Sequence, residues 1–585
     1  MTKSTWSTQP ATSEWDTATN WDPAAVPTDT ASFTTSSQTA ITFSPTSNAT
    51  VNNIEFAADA PAYTFTFDSP SPDTPTLTIT GQGITNSSTR IQSFIVAAST
   101  SGYEHPQFEF TNSATAGGSD MYYCAGPATA QDSGGGVIRF RNTSTAGSAT
   151  FKAWTGAAAP PKHNSTVGGE ISFGDSSSAD NASFTIYGTL GTDGDTFGNV
   201  VFHDSSTATN GTFTNIGGTV AGGDGGNTQF YEDSTAANGT FINRGGTHTG
   251  VKGQEYSGAN GGDVAFDGTA NGGHGHFHNY AAPAAESYGG VTSFNNNPPE
   301  VATQGASAGN GFYFNYGARE GELGGGGHIE FSAKHGSPTA ANASFVNYGS
   351  TIEDKSSAGH TIFSISLPTD YYPTAGNGIF WNHPGVVKGA AAGFTEFSVY
   401  GTGTGGSNVP TASDGTLINL GAYTSGAVGG YTTFSGTSTA GNAQLIAIGG
   451  TNGGDGGRIV FYDNSSGGAA SVQLFGNGEL DIGYHTNGLT IGILDLTGGI
   501  ISTQLGTNVA GLTLSGELIL KSTHATFSFW KKDGGGFEFN TPYTILTTPN
   551  LSSFTEAQFS GNSVEGVEPT FTIVGNDLQV SFNQG

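Results

Sequence analysis

Short bursts of alternating apolar and polar residues recur along the chain, most clearly over Gly198–Gly245. There a 28-residue phrase is written almost twice: Gly-x-(Val/Thr)-x-Phe, a polar Asp/Ser/Thr turn, Asn-Gly-Thr-Phe-x-Asn, then glycines. A fixed period of this length marks a repeat architecture. The phrase can be followed through eleven copies between residues 135 and 475. Its first anchor is Phe140, Phe173, Phe202, Phe230, Phe266, Phe294, Phe331, Phe363, Phe397, Phe434 and Phe461, and the residue two places earlier is β-branched in all eleven, from Ile138 to Ile459. Strand side chains alternate with a period of two, so both residues of each pair share a face and predict a buried column.

A second anchor follows at Phe151, Phe184, Phe213, Phe241, Phe277, Tyr313, Phe345, Phe380, Leu417, Leu445 and Val472. It lies eleven residues after the first in seven copies and further away in the four copies starting at Phe294, Phe331, Phe363 and Phe397. Loops are therefore expected at one corner of four successive repeats, over about 294–417. Two residues beyond the second anchor stands Asn215, Asn243, Asn279, Asn315, Asn347, Asn382 or Asn419. Parity turns these amides inward, where an isolated one would be costly. Copies stacked about 4.8 Å apart can instead bond one another along the axis. The pattern predicts an all-β fold, a right-handed parallel β-helix with β-rich caps. Residues 1–134 read as an N-terminal head and cap, 135–475 as the repeats with their inserted loops, and 476–585 as C-terminal rungs and cap.

Composition narrows the function. The chain of 585 residues carries 92 Gly, 39 Phe and 20 Tyr, a turn-rich sequence with enough aromatic surface to fold. A solenoid accommodates this length because each repeat packs only on its neighbours. The formal charge is −30, from 46 acidic and 16 basic residues. Nucleic acid is excluded as a partner, since that binding rests on neutralising phosphates, and anionic polymers are disfavoured. The one cysteine, Cys124, rules out an internal disulfide framework. Met1-Thr2-Lys3-Ser4 runs into polar residues, so no export signal and no transmembrane segment is expected in this stretch of chain.

The head Thr19-Asn20-Trp21, Val26-Pro27, Asp29 and Phe33, the glycine-rich repeat, and the tail Tyr543–Leu546 with Val574-Gly575-Asn576-Asp577-Leu578-Gln579-Val580 resemble secreted bacterial β-helix passengers with autotransporter-associated strand repeats. The resemblance implies an extracellular or bacterial cell-surface location and an adhesive or matrix role. It carries no universal catalytic residues. The membrane β-barrel that follows an autotransporter passenger is not part of this sequence.

Few stretches suggest chemistry. His274, His276 and His278 alternate within Gly273-His-Gly-His-Phe-His278 and would suit a transition metal if brought together. Phe277 points inward, so the imidazoles are expected to face solvent. Gly222-Gly-Asp224-Gly-Gly226, Gly261-Gly-Asp263 and Gly453-Gly-Asp455-Gly-Gly457 are turn-forming sequences that also admit Ca2+; no other cofactor is implied. Glu300, Glu320, Glu322, Glu330, Glu353 and Asp354 gather near the inserted loops. A glycosidase needs two carboxylates about 5 to 10 Å apart, and the sequence brings no particular two together.

Outward positions beside the second anchor form an apolar stripe, with covering loops as the plainer explanation. If the stripe is open, Tyr316, Tyr348 and Trp381, with Tyr371 and Tyr372 nearby, make an aromatic track for glycans or a protein. The expected function is a non-enzymatic surface or matrix β-helix that contacts cell-surface or matrix glycans or proteins. A polysaccharide-binding or polysaccharide-degrading β-helix and a fibre subunit that self-associates through its caps are the alternatives.

Overall fold

The computed structural model describes residues 2–69, 74–99, 105–126, 135–155, 168–190, 197–254, 257–295, 305–333, 336–353, 357–366, 370–400, 408–506, 511–531 and 535–584. Among them there is no α-helix, only 3-10 turns at Ala18–Asn20, Leu551–Ser553 and Glu556–Gln558. No helix there is long and apolar enough to cross a membrane. The chain forms two compact units, residues 1–292 and 293–585.

In the first unit each rung lays down two short strands. Asn199–Phe202 pairs in parallel with Asn227–Phe230, and Thr212–Asn215 with Thr240–Asn243, residue for residue. A polar corner lies between them, where Thr207 bridges Thr235. Phe173, Phe202, Phe230 and Phe266 stack with centroids 4.7 Å apart at every step. The second column meets the first edge to face, with Phe202 and Phe213 5.8 Å apart at 74°. Offset stacking along the axis and edge contacts across it use both favoured aromatic geometries. The glycines before each first strand are required by close backbone approach: a Cβ on Gly262 would sit 2.3 Å from the Asn215 carbonyl oxygen.

The rungs begin earlier than the repeated phrase does, within the stretch 1–134 read as head and cap. Val51, Ile79, Phe110 and Phe140 occupy one parallel column, and Ile41, Phe65, Phe94, Tyr123 and Phe151 the other. Aliphatic residues replace Phe at several of these positions, so packing persists while the phrase is lost. The cap itself is smaller. Ser4–Trp6 runs antiparallel to Trp21–Asp22, and Trp6, Trp15 and Trp21 pack edge to face with centroids 5.0 and 4.9 Å apart. All three are buried and close the aromatic column over Phe33 and Phe43.

The second unit is also a parallel β-helix. Phe294, Phe331, Phe363, Phe397, Phe434 and Phe461 stack in sequence, at 4.5 to 5.0 Å. Longer connections therefore leave the core register intact. Two first strands lengthen here, to His360–Ser366 and Phe394–Tyr400. Beyond residue 476 a separate sheet of Leu489–Ile491, Leu512–Leu514, Tyr543–Thr547, Asp577–Phe582 and Pro569–Val574 ends in antiparallel pairs. The tail strands thus form a cap, as their pattern predicts.

The asparagines form ladders within each unit. Nδ2 of Asn215 donates to Oδ1 of Asn243 at 2.8 Å, and Asn243 to Asn279 at 2.7 Å. In the second unit Asn315, Asn347, Asn382 and Asn419 continue the pattern at 2.8, 2.9 and 2.8 Å. Each donating Nδ2 also reaches a backbone carbonyl, for example Phe394 O from Asn347 at 2.9 Å. These side chains are fully buried. Paired in this way, amides inside an apolar core fix the register of the rungs rather than destabilise them.

Candidate functional site

The predicted aromatic residues of the second unit fall in three places. Tyr316 and Tyr348 project from the corner after the second strand and stack at 5.3 Å and 7°. His383 packs on the next rung, 5.0 Å from Tyr348, and the Arg319 guanidinium lies 5.2 Å from the Tyr316 ring centre. Together with Val386 and Tyr423 they line a cleft of about 240 Å³. Both faces of Tyr348 are occupied by neighbouring rings, and the faces of Tyr316 by Tyr348 and Arg319. A sugar ring stacks on an open aromatic face, so this corner ladder offers edges and hydroxyls rather than a platform.

Trp381 stands apart on the outward face of the second strand, between Val346 and Ile418 in register. It is 39% exposed, with Ile379 at 39% and Phe312 at 42%, so the apolar stripe is open there. Among the described residues no covering loop, the plainer expectation, closes over it. Tyr371 and Tyr372 precede the Thr374 corner, before strand Ile379–Asn382, and are not among the residues that line this cleft.

The structure does not gather the three histidines into a metal-binding group. Strand His276–Asn279 begins after His274, which lies in the preceding turn, so the alternation seen in sequence does not continue through it. His274 and His276 are exposed, while His278 is half-buried and its pKa is lowered by burial and by His276. Among the described residues no three His, Cys, Asp or Glu side chains are placed to hold a metal ion. In the glycine–aspartate turns the Asp224 carboxylate accepts a 2.6 Å hydrogen bond from Asn260.

The most elaborate polar surface is one that the sequence reading does not assemble: the outward face of the first strands in the second unit. Glu330, Ile362, Glu396, Thr433, Val460, Asp481, Ser502 and Ser528 stand in one register column. Beside it runs a ring column in which His328 stacks on His360 at 5.0 Å, His360 on Phe394 at 4.7 Å, and Phe394 on Tyr431 at 5.0 Å. Tyr462, Tyr484 and Trp530 follow along the same face, with centroids 5.5 and 5.1 Å apart. Gly483 makes room for the indole, since a Cβ there would lie 2.7 Å from Trp530.

Burial sets the protonation of this face. The pKa values of His328 and His360 are pushed down to about 4, so both rings are neutral at pH 7. His360 Nδ1 lies 3.0 Å from the Ala358 carbonyl, so it carries the ring proton and donates it. Glu330 lies 3.6 Å from His328 Nε2, and burial raises its carboxyl pKa against the opposing pull of His360. The Tyr400 hydroxyl donates to Glu396 Oε1 at 3.1 Å. Further along, Arg458 is held between Glu479 and Asp481 at 2.8 and 2.6 Å. Of this group the sequence singled out Glu330; Glu300 and Asp354 lie outside the described residues. Glu396 was legible as the residue one place before Phe397, just as Glu330 precedes Phe331.

No known protein family matches the chain, and no curated protein matches it in sequence.

Proposed function

We propose that this protein is an extracellular or cell-surface β-helix that holds a neutral polysaccharide against the outward first-strand face of its second unit. The observation that carries the reading is the side-by-side placement of accessible aromatic rings and carboxylates on one register face. Tyr400 is 52% exposed and Tyr484 56%, on the same face as Glu330 and Glu396. Sugars are bound by apolar ring contact combined with acceptors for their hydroxyls, and this face supplies both. The formal charge of −30 favours an uncharged polymer over an anionic one. An acidic surface and a single cysteine, which is buried, suit an extracellular setting.

Affinity electrophoresis of the full chain through gels containing β-glucan, dextran, galactomannan or xylan tests the reading. One of these polymers should retard the wild type. Tyr400→Ala and Tyr484→Ala should each weaken retardation by about tenfold, the scale of a lost hot-spot ring. Absence of retardation by every polymer, or retardation that both variants retain, would overturn it. The open stripe at Phe312, Ile379 and Trp381 favours a second reading, an adhesive surface for a protein. On that reading Trp381→Ala, and not Tyr484→Ala, abolishes attachment of the protein to cell-surface material.

A further inference from the structure

The placement of Glu330 and Glu396 suggests more than retention. Their Cα atoms are in register two rungs apart, with Ile362 between them. At about 4.8 Å per rung this separates the two backbones by about 9.6 Å. Two outward glutamates so placed can bring their carboxyl groups into the range of about 6.5–9.5 Å that inverting glycosidases use, which leaves room for a water opposite the scissile bond.

Their surroundings differ as an acid and a base require. Glu330 sits against the neutral His328, and burial favours its protonated form against the opposing pull of His360. Glu396 accepts a 3.1 Å hydrogen bond from the Tyr400 hydroxyl. Ser398 points to the same side as Glu396 and Tyr400 and is 1% exposed; its hydroxyl lies near the Tyr400 hydroxyl without a hydrogen bond of good geometry. Beside it the Tyr400 proton is already given to Glu396. A buried hydroxyl without a well-formed hydrogen bond, beside an acid, a base and a phenol, can be completed by a water.

We propose that Glu330 and Glu396 hydrolyse a glycosidic bond of a neutral polysaccharide with inversion at the anomeric carbon. Glu330 donates its proton to the glycosidic oxygen as the C–O bond breaks. Glu396 takes a proton from a water whose oxygen forms the new bond on the opposite face. The products are two shorter chains. The pair is left with Glu330 ionised and Glu396 protonated until solvent exchange resets it. The inference rests on the polysaccharide-binding reading.

The test incubates the full chain with whichever of the four polymers retards it and measures new reducing ends, with NMR of the first-formed anomer. The wild type should release reducing ends with inverted configuration. Glu330→Gln and Glu396→Gln should lower release by about 1,000-fold while retardation persists, the scale of a lost acid or base. Glu396→Ala with sodium azide should regain turnover and yield a glycosyl azide of inverted configuration, which also shows that the variant is folded. Binding without release, turnover retained in Glu396→Gln, or a retained anomer would each overturn hydrolysis by this pair and leave the binding reading intact. Failure of every polymer to bind would overturn both.

Discussion

Thr395 Oγ1 donates a 3.0 Å hydrogen bond to Oδ1 of Asn382, joining the β-branched column to the asparagine ladder. Thr228, Thr292, Thr361 and Thr432 make the same bond to Asn215, Asn279, Asn347 and Asn419, at 2.9 to 3.1 Å. Val264 and Ile329 hold the corresponding place after Asn243 and Asn315 and cannot make it. Thr395→Val should therefore destabilise the protein by about 1–2 kcal/mol, because it removes a donor from a buried amide oxygen. Val264→Thr, a change that ordinarily costs stability in a core, should be neutral or stabilising. Urea melts of both variants check this pair of expectations, and a large loss in Val264→Thr would count against the proposed link.

The ladder ends at Asn419. The next rung carries Ala447 in the same column, and Asn419 Nδ2 is buried without a hydrogen-bond partner. Ala447→Asn supplies the missing acceptor. It should raise stability by up to about 1 kcal/mol, although a buried Ala→Asn change elsewhere in the core would lower it. Parallel melts of Ala447→Asn and Ala443→Asn, the latter also fully buried, separate the two cases.

Acid should loosen the ring column of the second unit. His328 and His360 titrate near 4 in the fold, because burial opposes their charge, against about 6.5 when unfolded. The unfolded chain thus binds more protons between these values. Stability is fully present above about pH 6.5 and falls as pH drops toward 4, by a total on the order of a few kcal/mol. Glu330, whose pKa burial raises, works in the opposite sense as it takes up its proton on the way down. Phe394 shows that the column accepts a phenyl ring. His360→Phe should accordingly flatten the Tm-versus-pH curve over this window, and a slope identical to wild type would remove these rings as its cause.

Tyr348 and Trp381 should behave differently. With Tyr316 and His383 on its two faces, Tyr348 is a packing residue. Tyr348→Ala should lower Tm, and Tyr348→Phe should restore it. Trp381→Ala removes a side chain that is 39% exposed and should change Tm far less. Thermal melts of the three variants decide between a structural and an exposed binding role for each ring.

At Gly393 a Cβ would lie 2.0 Å from the Asn347 carbonyl oxygen. Gly393→Ala must displace one rung from another. It should destabilise by about 2–4 kcal/mol, comparable to overpacking a core. Gly566 has open space around it, but its φ of 80° would still strain an alanine, so Gly566→Ala should show the smaller loss expected of backbone strain alone. Chemical denaturation of the two variants measures the difference.

The sequence by itself determined the rung. The Phe columns, the β-branched column and the Asn ladder follow from a strand period of two and a repeat of nearly constant length. Those are local properties, and each inward residue meets its own counterpart one rung away. Only the tertiary structure decided where the repeat begins, because Val51, Ile79 and Ile41 fill the same columns as Phe without repeating the phrase. It also decided the outward surfaces. Tyr316 and Tyr348 became a closed stack because Arg319 and His383 cover their remaining faces, and Trp381 stayed open because Val346 and Ile418 flank it without covering it. Glu330 and Glu396 share a face because stacking in register brings together residues that the chain separates by more than a full turn of the helix. The inward columns are dictated by the requirement to bury apolar surface, which a pattern can reveal. The outward columns are set by which neighbours happen to surround each side chain, and that is defined only once the rungs are stacked.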